Sequence, residues 1–254
     1  MTGISLSSEK RDLVLSRYRK RLRTTGLENF ADYISLVRSN PDIEGEQFAN
    51  AITTNLTSFF REAHHFDQLA STVLPELRRR RDRRVRVWSA GCSTGEEPYS
   101  IAITILENWP SIAGRDLKIL ATDIDSEVVA KTRAAAYDAR RIEGLKAGIQ
   151  RRWFKEHSDI QGQRAVTVHA KAQAMVHCKQ LNLMDHWPMT GPFQVIFCRN
   201  TVIYFDKDTQ RALFDRFADL QNVGDYLFIG HSESLTRVTE RYKLVSSTMY
   251  RKIR

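Results

Sequence analysis

The sequence is poor in cysteine. Cys92, Cys178 and Cys198 are the only three in 254 residues, far apart and without a C-x-x-C pair. That excludes a disulfide framework and speaks against a zinc cage. Histidine offers no substitute. The seven histidines include no H-x-x-x-H pair, and the adjacent His64 and His65 would point in different directions on a helix. No metal is expected. No run approaches about 18 uncharged apolar residues, so no membrane-spanning helix and no membrane insertion are expected. The N-terminus MTGISLSSEKRD lacks the apolar centre of a signal peptide, which leads to the expectation of a cytoplasmic protein. Internal repeats and low-complexity linkers are missing too. So is the G-x-S-x-G elbow of serine hydrolases, since residue 234 is Ser in the stretch Gly230-His-Ser-Glu-Ser.

What is present is apolar content and positive charge. Apolar residues make up 42% of the chain, enough for a packed core. The net charge is +9, which suits nucleic acid, an acidic membrane surface or an acidic protein partner. Residues 10–23 hold seven Lys or Arg against one Asp, and residues 78–84 read RRRRDRR. The second run reads as a solvated helix end. Few aromatics are interleaved with the basics, Tyr18 apart, so base stacking is not indicated.

Residues 8–70 read as helices. Val14, Tyr18 and Leu22 form an apolar stripe at i, i+4, i+8, with Arg17, Lys20 and Arg21 on its flank. Phe30, Tyr33, Ile34 and Val37 predict a second helix closed by Ser39-Asn40-Pro41, and a third is predicted from about Gly45 to Thr54. A fourth is predicted over Ala63–Arg81. From Val85 the pattern alternates between strand and helix. Strands are predicted at 85–90, 117–125, 175–183, 193–198 and 226–230, and helices at Tyr99–Asn108, Ser126–Tyr137 and Lys207–Asn222. That alternation predicts an α/β fold, a parallel sheet covered on both faces. KLVSSTMYRK (243–252) predicts one terminal antiparallel strand, and residues 151–172 a small antiparallel insert with a turn near Gln161-Gly162. The division expected is a helical domain over 1–70 and an α/β domain over 71–254.

In such sheets ligands bind beyond the carboxyl ends of the strands. The unusual polar residues cluster there: the loop Ser89-Ala-Gly-Cys-Ser-Thr-Gly95, Asp123, Asn182-Leu183 and Arg199-Asn200. The loop is G-x-x-x-G, not the G-x-G-x-x-G of dinucleotide sites, and it runs on into Glu96-Glu97-Pro98. Two carboxylates would repel a pyrophosphate and attract a cationic ligand such as the ammonium or sulfonium of S-adenosylmethionine. The other reading is that both acids face solvent at a helix start, where the dipole favours them. Asp123 is placed to accept both hydroxyls of a ribose, or else to cap the next helix together with Asp125.

TTNLTSFFREAHHF (53–66), RVWSAGCSTGEEPYSIAI (86–103), ATDID (121–125), QLNLMD (180–185), FCRNTVIYFD (197–206) and GHSESL (230–235) resemble, in order, the CheR-type chemotaxis receptor methyltransferases. The resemblance covers nearly the whole chain. It implies a class I, Rossmann-like S-adenosylmethionine-dependent methyltransferase sheet, an N-terminal all-helical domain and a small antiparallel β-subdomain inserted in the sheet domain. It also implies methyl esterification of glutamate side chains on the cytoplasmic domain of transmembrane chemoreceptors, with S-adenosyl-L-homocysteine as product and no nucleic acid as partner. By motif, Asn55, Thr57 and Arg61 would enclose the cofactor from the N-terminal side, and Ala90 would border it. Glu97 would bind the methionine ammonium, Asp123 the ribose, and Asn182 and Leu183 the adenine. Arg199 and Asn200 would line the methionine end. Arg61 and Tyr204 would lie nearest the transferred methyl as the catalytic pair.

A glutamate acceptor has a pKa of about 4.3 and is already ionised at neutral pH, so positioning is expected in place of a general base. The basic helix in 10–23 would steer a glutamate-rich receptor surface. The stretch His157–Arg164 has one glycine where some members carry a glycine-rich loop that tethers a receptor peptide, so a tether-independent enzyme is expected. The alternatives are a nucleic-acid methyltransferase and a non-catalytic, S-adenosylmethionine-binding receptor adaptor.

Overall fold

A computed structural model describes residues 11–53, 55–80, 84–158 and 162–254. Three helices come first, α1 (Arg11–Thr25), α2 (Phe30–Ser39) and α3 (Pro41–Ile52). The backbone N–H of Asp32 donates to the Asn29 side chain, which caps α2. Asn40-Pro41 closes α2, as the sequence predicts, and also opens α3 several residues earlier than predicted. Proline fits the first helical turn, because its missing N–H would have no partner there. Aromatic rings hold the three helices together. Tyr18 stacks on Phe48 at 4.9 Å and lies 5.3 Å from Phe30 and 5.7 Å from Tyr33. Its hydroxyl donates to the Phe48 carbonyl at 2.8 Å.

The basic flank of α1 is largely turned inward. Arg17 donates to the Thr53 carbonyl at 3.0 Å, and Arg21 grips the buried Glu44 through both Nε and Nη2. Arg19 and Arg23 are the exposed cations on the described part of this helix. The side chains of Val14 and Lys20, Thr54, residues 81–83 of the arginine run and Gln161 of the predicted turn lie outside the described residues.

The predicted fourth helix is three pieces: α4 (His64–Gln68), a π-helical turn (Leu69–Val73) and α5 (Leu74–Arg80). Pro75 explains the break. It has no N–H to continue the ladder, and its ring crowds the carbonyl four residues back; a wider turn ahead of it relieves both. The sheet domain then follows with β1 (Arg84–Ala90), α6 (Glu96–Asn108), β2 (Asp116–Asp123) and α7 (Ser126–Ala134).

The insert starts earlier than the alternation at 164–168 suggests. Helix α7 stops at Ala135, which takes a left-handed conformation (φ 53°), and β3 (Ala136–Asp138) follows where helix was predicted to Tyr137. After α8 (Ala147–Trp153) come β4 (Phe154–Ser158) and β5 (Arg164–Val168), giving an antiparallel sheet in the order β3-β5-β4. The chain continues through α9 (Ala170–Gln173), β6 (Val176–Gln180), β7 (Val195–Cys198), α10 (Lys207–Asp219) and β8 (Tyr226–Ile229). The expected single terminal strand is a hairpin of β9 (Tyr242–Ser246) and β10 (Met249–Lys252), turning at Ser247, whose φ is 38°.

The large sheet has the order β6-β2-β1-β7-β8-β10-β9. Strands β6, β2, β1, β7 and β8 are parallel, and β10 is antiparallel to both its neighbours. Alternate residues serve two cores. Val85 and Val87 join Leu69, Leu77 and Ile101, while Trp88 and Ala90 join Ile196, Leu213 and Phe217. Helical N-terminal part, mixed sheet and small antiparallel sheet together match the fold the sequence predicts. The order reverses beside β1, which lies between β2 and β7, and in sheets of this kind ligands bind at the carboxyl ends of the strands at such a point. No described helix is long and apolar enough to cross a membrane.

The hydrogen bond from Arg21 holds the Glu44 carboxyl below its ordinary value. A folded pKa below the unfolded value of about 4.3 contributes stability above that pH, which is lost as pH falls through the folded value. Thermal unfolding across acid pH should therefore show a steeper loss in the native chain than in Glu44→Gln. At neutral pH the substitution should cost about 1.5 kcal/mol, the low end for a charged hydrogen bond, since Arg21 is partly solvated. Parallel pH profiles would remove Glu44 as a contributor.

Candidate active site

The loop after β1 is tied to the end of β2. Gly91 and Cys92 both donate their N–H to the Thr122 carbonyl, at 2.8 and 2.9 Å, and Ser93 N–H donates to Asp123 Oδ2 at 2.8 Å. Gly91 and Gly95 have φ of 91° and 98°, a region that favours glycine. A Cβ on Gly95 would come within 2.7 Å of the Tyr137 hydroxyl, which itself donates to the Thr94 carbonyl at 2.8 Å. Tyr137 belongs to β3, so the insert buttresses this loop. Cys92 is buried, and burial pushes its thiol up, as for a packing residue.

Glu96 and Glu97 start α6, and both are buried, at 0% and 9% exposure. This overturns the reading in which they face solvent. Glu96 accepts from Thr94 Oγ1 at 2.6 Å and lies 3.5 Å from Arg141 Nη1. Glu97 accepts from Ser89 Oγ at 2.7 Å and from Arg199 Nη1 at 2.9 Å. Arg199 also donates Nη2 to the Arg61 carbonyl at 2.6 Å and lies 3.3 Å from Glu62 Oε2. Its Nε is buried without a hydrogen-bond partner among the described residues.

Of the two roles weighed for Asp123, the cap falls to Asp125. Asp125 Oδ1 accepts from Glu127 and Val128 N–H and caps α7. Its Oδ2 accepts from Asn55 Nδ2 at 2.8 Å and Thr53 Oγ1 at 3.1 Å, which fastens the helical part to the sheet. Asp123 does not cap. It sits half-buried at the strand end, accepting from Ser93 and Asp125 N–H, and burial pushes its carboxyl above the ordinary aspartate range.

The other expected residues lie along the same edge. Ala90 ends β1 and is fully buried. Leu181 N–H donates to the Asp123 carbonyl, which brings the following Asn182 and Leu183 beside β2. Asn182 Oδ1 accepts from Met184 N–H, and Leu183 packs into the core with Trp88. The Asn55 carbonyl accepts from Ser93 Oγ, and the Thr57 carbonyl accepts from Arg141 Nη1. Arg61 joins the cluster through its carbonyl, while its guanidinium donates to the carbonyl of Leu56 at 2.7 Å. Asn200 has φ 57°, and Tyr204 is half-buried on the short 3-10 turn that follows.

Glu233 was not among the expected residues, yet it sets this last loop. Its carboxylate accepts the N–H groups of Gly230, Asn200 and Val202 at 2.5, 3.0 and 3.0 Å. Asp125 and Glu62 likewise act through contacts distant in sequence. Donor atoms of Glu62, His64 and His65 lie within 4.8 Å of one another, a grouping that a metal ion would suit. The Arg199 guanidinium already supplies positive charge to Glu62, and His65 Nε2 bonds Thr248 Oγ1.

Residues 55–251 match the model of the CheR methyltransferase SAM binding domain, and residues 1–53 that of the CheR methyltransferase all-alpha domain. The chain belongs to the CheR methyltransferase family. It is 46% identical over 237 residues to a probable chemotaxis protein methyltransferase of Rhizobium etli, covering 92% of this chain and 88% of that protein. It is 41% identical over 250 residues to the chemotaxis protein methyltransferases of Salmonella typhimurium and Escherichia coli, covering 98% of this chain and 84% and 85% of theirs. As a CheR methyltransferase the chain is an S-adenosylmethionine-dependent protein-glutamate methyltransferase, acting on chemoreceptors and leaving S-adenosylhomocysteine. The donor set fits that cofactor. Glu97 keeps lone pairs for an ammonium, the orphaned Arg199 Nε can donate to a carboxylate, and the Asp123 carboxylate can accept from a diol.

Asp125→Ala should lower the unfolding free energy by about 1 kcal/mol through the lost cap. It should also speed protease cleavage between residues 53 and 58, because Asn55 and Thr53 lose their anchor. Unchanged cleavage would reduce Asp125 to a helix cap.

Proposed function

We propose that the crevice at the carboxyl ends of β6, β2, β1 and β7 is where this chain performs its methyl transfer, with Glu97 holding the ammonium of the cofactor. The buried Glu97–Arg199 pair carries this reading, since it sets a carboxylate at a helix start that would repel a phosphate. Bound S-adenosylmethionine supplies an electrophilic methyl on a positively charged sulfur.

The residues of the chain bind, orient and exclude water. Asp123 receives the ribose hydroxyls, Asn182 and Leu183 border the adenine, and Ala90 and Asn200 line the floor. Arg199 takes the methionine carboxylate through Nε. Asn55 and Thr57 close the crevice from the helical side, supported by the Asp125 and Arg141 contacts. Arg61 swings from the Leu56 carbonyl to aim the incoming glutamate carboxylate, and Tyr204 flanks the methyl. The acceptor is ionised at neutral pH, so no base is needed. Two opposite charges disappear in the step, so a site closed to water favours it.

The acceptors we propose are glutamates on the cytoplasmic helices of transmembrane chemoreceptors, which places the enzyme in the cytoplasm. The exposed Arg19 and Arg23 of α1 meet that acidic surface, while Arg17 and Arg21 are committed to the Thr53 carbonyl and Glu44. On this reading residues 1–70 form the receptor-facing helical domain and 71–254 the catalytic domain, with the insert around 151–172 acting without a peptide tether.

Methyl-labelled cofactor incubated with receptor-bearing membranes should give label on a receptor that is released by mild base, as an ester requires. Label on RNA or DNA, or binding without transfer, would overturn the acceptor. Arg61→Ala should lower turnover about 100-fold, the order expected for a misplaced reactant, with cofactor binding little changed. Intact turnover with weakened binding would reject the aiming role. Asp123→Asn should weaken cofactor binding about 10- to 100-fold, as loss of a charged acceptor implies.

A further inference from the structure

Glu62 follows Arg61 with φ 57°, in the left-handed region that few side chains adopt. Two loops and the first turn of α4 converge on its carboxylate. Arg199 Nη2 lies 3.3 Å from Oε2, the backbone N–H of His231 donates to it at 3.1 Å, and His65 Nδ1 stands 3.5 Å away. His65 brings no charge, since burial and then the Arg199 guanidinium push its imidazole down to about 2. Among the described residues, Arg199 is therefore the one formal cation set between Glu97 and Glu62.

That two-to-one ratio has a purpose if Glu97 must receive a second cation. An arginine neutralised by Glu97 alone would compete with an ammonium for the same oxygens. With Glu62 on its other side, Arg199 is already compensated and the group of three keeps a formal charge of −1. The same carboxylate fixes the His231 N–H, and so the turn from which Glu233 holds the Asn200 and Val202 N–H groups. Arg199 is thus braced through its guanidinium and through the loop that carries it.

We propose that Glu62 is a positioning residue for cofactor binding: it compensates and orients Arg199, which leaves the Glu97 carboxylate free to take the ammonium of S-adenosylmethionine. This rests on the reading of Glu97 as the ammonium ligand.

The test is calorimetric titration of the whole chain with S-adenosylhomocysteine, which needs no receptor, alongside steady-state methylation. Glu62→Gln keeps the size and an acceptor for His231 but removes the charge. It should weaken product binding and raise the cofactor KM about tenfold, a difference of ~1.4 kcal/mol. Turnover at saturating cofactor should change less than about threefold, the pattern of lost binding and not of lost chemistry. Glu62→Asp should recover most of the affinity. Unaltered binding in Glu62→Gln would overturn the proposal, as would lost turnover at unaltered KM, or a loss that Glu62→Asp fails to recover. Glu97→Gln run in the same titration separates the two readings. If it binds as tightly as the native chain, the ammonium assignment fails; a Glu62→Gln defect would then show direct binding by Glu62 and overturn the relay through Arg199. Failure to methylate a given receptor touches neither result.

Discussion

A guanidinium buried between carboxylates governs the upper edge of the sheet. Taking Arg199 and Glu97 out of water costs several kcal/mol for each ion, and a close ion pair offsets that only when the remaining donors and acceptors are also satisfied. The extra partners come from two other segments: Ser89 from β1, and the Arg61 carbonyl and Glu62 from the stretch before α4. None of these segments can drift without exposing a charge to an apolar surround. Removing one member of such a pair usually costs about 3–5 kcal/mol, more than a typical surface change by several-fold. The polar cluster is therefore structural, and it joins the ends of β1 and β7 to the start of α6.

The sequence revealed what depends on local pattern. Strand–helix alternation after Val85 showed the doubly wound sheet. Three kinds of feature were not legible. Short elements escaped, as with β3, whose three residues carry no periodicity. Breaks caused by one residue escaped as well: Pro75 turns a continuous helix into α4, a π turn and α5, although the apolar spacing runs through it. The third kind is the long-range acceptor. Glu62, Asp125 and Glu233 sit inside recognisable motifs, yet their partners lie far away along the chain, and no spacing rule announces that Glu233 will collect the N–H groups of Asn200 and Val202. Motif similarity picked out segments that meet at the strand ends, and the geometry shows which of their side chains hold a neighbour.

Charge counts mislead in the same way. The seven basic residues of 10–23 suggest one broad positive face. Arg21 is committed to Glu44 and Arg17 to the Thr53 carbonyl, where the helices join the sheet domain through Asp125. Part of that charge thus assembles the chain, and a narrower part is left to meet a partner. The insert is also less separate than its position suggests. Tyr137 supports the loop at Thr94, and Phe59 packs edge-on against Tyr137 and Phe154, both at 5.0 Å.

Strand β10 lies between β8 and β9, although it is made after both. A chain emerging from the ribosome can add β2, β6, β7 and β8 to the sheet begun by β1 in the order their residues appear. Strand β9 must then wait, because its one neighbour in the sheet does not yet exist. Until residues 249–252 are released, β8, with all four residues buried in the finished molecule, presents a bare apolar edge. Such an edge is a template for pairing with another nascent chain. The closing hairpin thus covers that edge last: a copy interrupted a few residues early would keep the polar cluster at the strand ends and leave β8 uncovered.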